Sequence, residues 1–425
     1  MTKTICAAAT APGGAIGIIR ISGSESISIA NSIFSKDILD APANSVIFGT
    51  IRKNTEIIDE VLLTIFRAPH SYTGEDSVEI SCHGSVYIMQ SILELLIQNG
   101  CRMATAGEYT QRAFLNGKMD LSQAEAVADL IASNNKASHD VAMQQMRGGI
   151  STKLQELRNQ LLELTSLLEL ELDFSEEDVE FADRKKLYDL ASTIENEISH
   201  LSNSFTTGNA IKNGIPVAII GAPNVGKSTL LNQLLQEDRA IVSDIKGTTR
   251  DIIEDTMILD GVLFRFIDTA GIRHTDDQIE KMGIERSISA VSKAQIIIML
   301  TEPGVPYPII DVRKDQTVIN IVNKSKDFQA INGLGVDKLK SDILHAVTKV
   351  SNSDLLITNL RHKEALDRAL LDIRRSIEAL SVNLSGDLIS EDLRQCLFHL
   401  AEITGGQITS DEVLGNIFKN FCIGK

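Results

Sequence analysis

Apolar residues in the first 120 positions come in short runs, at 15–22, 61–66 and 77–82, punctuated by Gly and Pro. That pattern predicts strands in a mixed α/β region. Residues 84–98 take up helical spacing and stop at Asn99-Gly100, which reads as a helix and its break. After Asp120 the period changes. Proline almost vanishes as far as residue 204, and Leu154, Leu157, Leu161, Leu164 and Leu168 draw one stripe along a helix, the signature of a bundle core or a coiled-coil seam. Residues 215–220 are an unbroken apolar run, echoed at 263–267, 295–300 and 317–322 with helical stretches between. Such runs are strands buried on both faces of a parallel sheet. Helical spacing returns at 355–380, 389–403 and 409–421, the last opening on the capping-box pattern Thr409-Ser-Asp-Glu412.

The simplest organisation has four segments: an α+β domain over 1–118, a helical part over 119–210, an α/β domain over 211–352, and a second helical part over 353–425. The two helical parts form one domain into which the α/β domain is inserted.

Composition narrows the function classes. The chain has 425 residues, 43% of them hydrophobic and 23% charged, enough for two to four cores of ordinary soluble type. No apolar run is long enough to span a bilayer, and the first 20 residues, broken by Pro12, Gly13 and Gly14, read as a strand and not as a signal peptide. A cytoplasmic protein with no membrane contact is expected. The net charge of −16 and the lack of Trp argue against autonomous nucleic-acid binding. Cys6, Cys82, Cys101, Cys396 and Cys422 include no CxxC pair, so neither a disulfide framework nor a zinc site is expected. Each reads as a small buried hydrophobe except Cys422, at the extreme C-terminus. The acidic stretch 169–181 reads as a solvated loop or helix end.

One constellation carries chemistry. Gly221-Ala-Pro-Asn-Val-Gly-Lys-Ser228 fits G-x-x-x-x-G-K-[ST], follows a buried strand and precedes a helical run. Its glycines let backbone N–H groups wrap phosphates at a helix N-terminus. Lys227 is expected to reach the β- and γ-phosphates, and Ser228 to bind Mg²⁺. Three companions follow in order: Gly247-Thr248-Thr249-Arg250-Asp251 as a switch segment, Asp268-Thr269-Ala270-Gly271 at a strand end, and Asn323-Lys324 for the base. Four short motifs in sequence at strand ends specify a GTP-hydrolysing switch domain with a Ras-like parallel sheet. No glutamine follows Gly271 to orient water; Glu280 is the nearby carboxylate nominated for that role, although alone it reads as a surface helix residue.

With these residues in view, the chain resembles the MnmE (TrmE) family of tRNA-modification GTPases over essentially its whole length. The resemblance extends beyond the switch domain to Gly17-Ile-Ile-Arg-Ile-Ser-Gly23, Tyr72-Thr-Gly-Glu-Asp76, Cys82-His-Gly84, Gly107-Glu108, Arg112-Ala-Phe-Leu-Asn116, Lys118-Met-Asp-Leu-Ser-Gln-Ala-Glu125, Gly283-Ile-Glu-Arg286 and Phe421-Cys-Ile-Gly-Lys425. It implies a folate-binding, homodimerising N-terminal domain. It also implies a heterotetramer with an FAD-dependent MnmG (GidA) partner, which adds an aminomethyl or carboxymethylaminomethyl group at C5 of the tRNA wobble uridine. The one-carbon unit comes from 5-formyl- or 5,10-methylene-tetrahydrofolate. Nucleotide contacts implied are Asn224, Val225, Gly226, Lys227, Ser228, Thr229, Ser243, Asp244, Ile245, Lys246, Gly247, Thr248, Thr249, Asp268, Thr269, Ala270, Gly271, Asn323 and Lys324. The resemblance gives Mg²⁺ to Ser228 and Thr249, and K⁺ to Asn224 with carbonyls of Ser243, Ile245 and Thr248. Glu280 becomes the water-orienting catalytic residue and Cys422 a second catalytic candidate. Arg20, Glu79, Lys118 and Lys425 become folate contacts.

One departure stands out. The family's base-reading motif is Asn-Lys-x-Asp, and here the fourth position is Lys326 with Asp327 next, while Gln329-Ala330-Ile331 replaces a Ser-Ala-Lys-like motif. Lysine cannot accept guanine's N1–H and amine bonds. Either Asp327 serves one residue late or guanine selectivity weakens. The rival reading, a ribosome-assembly GTPase without RNA chemistry, shares the switch domain but not Arg20, Glu79, Lys118 and the terminal Cys-Ile-Gly-Lys.

Overall fold

The computed structural model describes residues 3–173, 184–238, 255–267, 289–347, 355–382, 384–406, 411–419, 421–422 and 424. Two compact units are each assembled from separated stretches of chain: residues 1–128, 145–156 and 400–425 form one, and residues 129–144 and 157–399 the other.

The first unit is built on β1 (Ile5–Ala8), β2 (Ile16–Ser22), α1 (Ser26–Ile33), β3 (Ser45–Lys53), β4 (Glu56–Phe66), β5 (Ser77–His83), α2 (Val86–Gln98), β6 (Arg102–Met103) and α3 (Glu108–Leu115). Its six-stranded sheet runs β3-β4-β5-β2-β1-β6, antiparallel apart from the β1–β6 pair. The period-two alternation of β2, β4 and β5 puts Ile19, Ile21, Leu63, Ile65, Val78 and Ile80 on one face, where α1 and α2 seal them with Ile29, Ile33, Ile92 and Leu96. The opposite face has two characters. At β1, Ile5 and Ala7 are closed over by Ala104, which follows β6, and by Tyr109 of α3. On the β3–β4 hairpin, Val46, Phe48 and Leu62 remain exposed, with Phe48 directly opposite Leu62. The expected strand at 61–66 is the second half of β4, and the helix expected from residue 84 begins at Val86. Strand β3 is not among the runs singled out from sequence, because it alternates about Gly49 and buries little.

Helices α4 (Leu121–Ala132), α5 (Lys136–Met146), α6 (Gly149–Asp173), α7 (Arg184–Asn203) and α8 (Phe205–Asn213) follow. All five leucines of the α6 stripe are buried, as the spacing predicts. The parallel sheet then forms from β7 (Ile215–Gly221), β8 (Asp255–Leu259), β9 (Val262–Phe266), β10 (Ile296–Thr301) and β11 (Thr317–Val322), in the order β11-β10-β7-β9-β8. Only β8 runs antiparallel to its neighbour. Helices α9 (Lys227–Asp238) and α10 (Val336–His345) belong to this layer; Leu230, Leu234, Leu339 and Ile343 pack with Val217, Ile219, Phe264 and Ile298. Thus a P-loop-type α/β layer lies between helical stretches in the chain.

The chain closes with α11 (Leu360–Ser381), α12 (Gly386–Thr404) and α13 (Asp411–Phe418). Helix α11 packs along α7, where Arg374 pairs with Glu195 at 2.8 Å and Ser202 Oγ donates to Asp367 at 2.5 Å. Gly208 of α8 leaves no room for a side chain, since a Cβ there meets the Ile357 carbonyl at 2.2 Å. In the first unit, α13 buries Leu414 and Phe418 against Leu121 and Ala124. Thr409 of the expected capping box lies outside the described residues.

Candidate functional site

Two clusters of chemically capable side chains stand out, one in each unit. In the second unit β7 is the central strand, with β10 and β9 parallel on either side. The chain passes from β7 to one side and later returns to the other, so the C-terminal end of β7 is a topological switch point, where α/β sheets bind ligands. The glycine-rich loop sits there. Gly221 must be glycine, because a Cβ would stand 2.3 Å from the Leu300 carbonyl of β10. Asn224 and Gly226 have positive φ, 58° and 98°, and turn the backbone into the start of α9 at Lys227. The α9 N-terminus directs unpaired N–H groups and positive potential toward this loop.

Lys227 Nζ donates to the carbonyls of Gly221 and Ala222, both at 2.8 Å, so its ammonium is held over the loop by the loop itself. Burial lowers its pKa below the ordinary lysine value, and a bound polyanion counters that desolvation. The Asn224 side chain is exposed and makes no hydrogen bond among the described residues. Val225 is buried and tethers the loop: Asn323, itself buried, donates from Nδ2 to the Val225 carbonyl at 2.8 Å and accepts at Oδ1 from Ala330 N–H at 2.9 Å. Asn323 therefore braces the phosphate loop against the loop after β11. Lys324 pairs with Glu302 at 2.5 Å, a partner that sequence reasoning missed. Ser228 and Thr229 occupy the first turn of α9. The remaining nucleotide-site expectations, Ser243, Asp244, Ile245, Lys246, Gly247, Thr248, Thr249, Asp268, Thr269, Ala270, Gly271 and Glu280, lie outside the described residues.

The cluster in the first unit centres on Arg20. It stands opposite Glu79 across β2 and β5, and both Nε and Nη2 donate to Glu79 Oε1 at 2.8 Å. Its guanidinium lies 5.6 Å from the ring centres of both Tyr72 and Tyr109, a cation–π arrangement. The Tyr109 hydroxyl donates to the Arg20 carbonyl at 2.8 Å. Arg20 Nη1 donates to the Gly424 carbonyl at 3.2 Å, and Gly107 N–H donates to the Cys422 carbonyl at 3.3 Å. The C-terminal tail is thereby drawn against β2 and the start of α3. Lys118 reaches the same 69–76 loop that carries Tyr72, donating to the Pro69 carbonyl at 2.9 Å. Lys425 lies outside the described residues. Sequence reasoning missed the two tyrosines; Tyr72 belonged to a family segment but carried no chemical signal by itself.

Beneath this cluster lies a buried ionic network. Arg112 Nη1 donates to both oxygens of Glu75, and its Nε and Nη2 donate to Glu108 Oε1; Arg102 also pairs with Glu108. Burial pushes the Glu108 carboxyl up, but Arg102, the Thr105 N–H and Arg112 outweigh it and hold the carboxyl at about 2. Ser22 and Thr73 extend the network through Glu75. Among the described residues no group of His, Cys, Asp and Glu is arranged to hold a metal ion, and no helix is long and apolar enough to cross a membrane.

The profile of the GTP-binding protein TrmE N-terminus matches residues 4–118, and that of the MnmE helical domain matches residues 121–422. Proteins named tRNA modification GTPase MnmE are similar along the whole chain. That of Bacteroides fragilis strain YCH46 is 52% identical over 462 aligned positions, covering 99% of both chains. Those of Parabacteroides distasonis and Flavobacterium johnsoniae are 53% and 49% identical, covering 100% and 99% of both chains. The 462-position alignment is longer than the 425-residue chain, so this relative carries segments that the chain lacks.

Proposed function

The chain belongs to the MnmE (TrmE) family of tRNA modification GTPases, and from that premise we propose that it hydrolyses GTP in a K⁺-activated, Mg²⁺-dependent manner to drive modification of the tRNA wobble uridine. GTP hydrolysis in tRNA modification is the family's activity. The finer steps are our reading: a homodimer, working in the cytoplasm with an FAD-dependent MnmG-type partner, adds an aminomethyl or carboxymethylaminomethyl group at C5 of the uridine. We assign residues 1–118 to folate binding and dimerisation, 119–210 and 353–425 to the helical domain, and 211–352 to the GTPase domain.

The observation that carries the GTPase reading is the loop at the end of β7, with Lys227 held by two loop carbonyls and Asn323 bracing Val225. The chain's own residues do three things there. Lys227 neutralises the β- and γ-phosphate oxygens, the N-terminal N–H groups of α9 cradle them, and Asn323 fixes the loop so that neither has to reorganise on binding. Ser228, in the first turn of α9, would hold Mg²⁺, which would supply charge neutralisation on the phosphates. Asn224 offers its uncommitted carboxamide to K⁺.

The Arg20 cluster fits a tetrahydrofolate derivative as the one-carbon source. Arg20 has engaged three of its five N–H donors and Lys118 one of its three, so both keep donors for anionic or carbonyl groups. Glu79 is an acceptor suited to the N–H edge of a pterin. The exposed Val46, Phe48 and Leu62 on the open sheet face supply an apolar surface for a second copy of the chain. Mass analysis of tRNA nucleosides from cells lacking the protein tests the reading. Unchanged wobble uridines in those cells leave the modification role without support.

A further inference from the structure

The hairpin β8–β9 joins two segments that the sequence assigns to nucleotide sensing. Strand β8 follows Gly247-Thr248-Thr249-Arg250-Asp251, and β9 runs on toward Asp268-Thr269-Ala270-Gly271. In switch GTPases, segments of this type are gathered by the γ-phosphate with its Mg²⁺ and released on hydrolysis. A nucleotide at the β7 loop therefore acts on both ends of this one hairpin. Between those ends the hairpin is stiff. Its strand pairs run in register from Asp255 opposite Phe266 to Leu259 opposite Val262, and Met257, Leu259, Phe264 and Phe266 are buried.

The tip is the two-residue turn Asp260-Gly261, with φ of 47° and 77°, the backbone that a tight hairpin turn requires. It rests on α5. The Gly261 carbonyl accepts from the Ala137 N–H at 3.0 Å. That N–H is one of the first-turn donors a helix leaves without an internal partner, and the next, from Ser138, goes to Asn135 Oδ1 at 2.9 Å. The hairpin tip thus completes the cap of α5. The fit leaves no room for a side chain, since a Cβ on Gly261 stands 2.9 Å from the Lys136 Cβ. A second tie roots the central strand. Lys212 of α8, just ahead of β7, pairs with Asp129 of α4 at 2.7 Å. With β7 anchored to the helices in this way, a shift of β8–β9 against β7 falls on the contact between Gly261 and Ala137.

We propose that the β8–β9 turn is a strut that carries the state of the nucleotide site to α5, docked on Ala137 in one nucleotide state and withdrawn in the other; this rests on the GTPase reading. The test is hydrogen exchange over residues 135–144 of the full chain, with GDP and with a non-hydrolysable GTP analogue, Mg²⁺ present in both. In the wild type the exchange rate at the start of α5 is expected to differ by about fivefold or more between the two nucleotides, the low end of ordinary coupling between sites. Gly261→Asn keeps a residue that accepts positive φ but drives a Cβ into Lys136, so it should abolish the difference while nucleotide still binds. Lys136→Gly removes the obstructing Cβ. The double variant Gly261→Asn, Lys136→Gly should therefore regain the difference, a recovery that misfolding cannot produce. Equal exchange in the two states by a wild-type chain that binds both nucleotides overturns the strut and leaves the GTPase reading standing, as does a wild-type difference in Gly261→Asn. A wild-type chain that binds neither nucleotide overturns both.

Discussion

Arg20 on β2 donates to the backbone carbonyl of Gly424, 404 residues later in the chain, at 3.2 Å. The contact needs a glycine: Gly424 has φ of 95°, and a Cβ there stands 2.5 Å from the Ala8 carbonyl. The tail therefore approaches the sheet as bare backbone. Gly424→Ala is expected to lift the tail from Arg20, because it combines a left-handed backbone with a backbone clash. tRNA modification should fall by about tenfold or more, while GTP hydrolysis stays within about twofold of wild type. Undiminished modification shows that the Arg20–Gly424 contact is incidental.

Glu108 makes stability depend on acid. Its carboxyl is held at about 2, against an ordinary value of 4.5, because Arg102, Thr105 N–H and Arg112 overcome the cost of burial. A depressed carboxyl contributes stability that is complete above its unfolded pKa and fades as pH falls toward the folded one. The window is therefore from about pH 4.5 down to about pH 2, and the contribution is on the order of 3 kcal/mol. Glu108→Gln should be destabilised by about that amount at pH 7, and the gap to wild type should narrow below pH 4. Urea unfolding of both proteins at the two pH values checks this; a gap that does not change with pH refutes the ionic account.

The phosphate loop was legible in the sequence because its requirements are local. A buried strand, a glycine turn, a lysine and a helix follow one another within a few residues, so spacing alone exposes them. The α6 stripe was legible for the same reason. What escaped depends on separation in the chain. Tyr109 meets Arg20 across 89 residues, and Lys324 meets Glu302 across 22; no periodicity encodes either pair. The texture of α13 matches other bundle helices, so pattern alone does not reveal that Leu414 and Phe418 pack on Leu121 and Ala124. Strand β3 escaped because its outward Val46 and Phe48 blur the alternation that marks a half-buried strand.

The uncommitted carboxamide of Asn224 leads to an ion-specific expectation. Asn224 holds a positive φ in the phosphate loop and has no partner among the described residues. A monovalent cation there adds charge beside the γ-phosphate, the work of an arginine finger in other GTPases. Phosphate release by the wild type should be much faster in K⁺ than in Na⁺. Asn224→Ala should erase the difference while still binding nucleotide, because Lys227 and the α9 N-terminus are untouched. Equal wild-type rates in the two salts sink the idea.

The last prediction separates the two chemistries of the chain. Cys6, Cys82, Cys101 and Cys396 are buried and Cys422 is exposed, the contrast expected from the sequence. The tail is fastened on both sides of this thiol: Phe421 packs on Phe418 with ring centres 5.0 Å apart, and Gly424 is held by Arg20. The Cys422 carbonyl is tied to Gly107, so the backbone is positioned while the thiol faces outward. Thiols become nucleophiles when ionised, and this one stands two residues from the Arg20 contact, beside the assigned folate cluster. None of the nucleotide-loop residues belongs to the same unit. Cys422→Ser, or removal of residues 422–425, should therefore abolish wobble-uridine modification and leave GTP binding and K⁺-stimulated hydrolysis nearly intact. A phosphate-release assay paired with nucleoside analysis of tRNA from complemented cells decides it. Normal modification by the truncated chain makes the tail purely structural, and joint loss of both activities assigns it to folding.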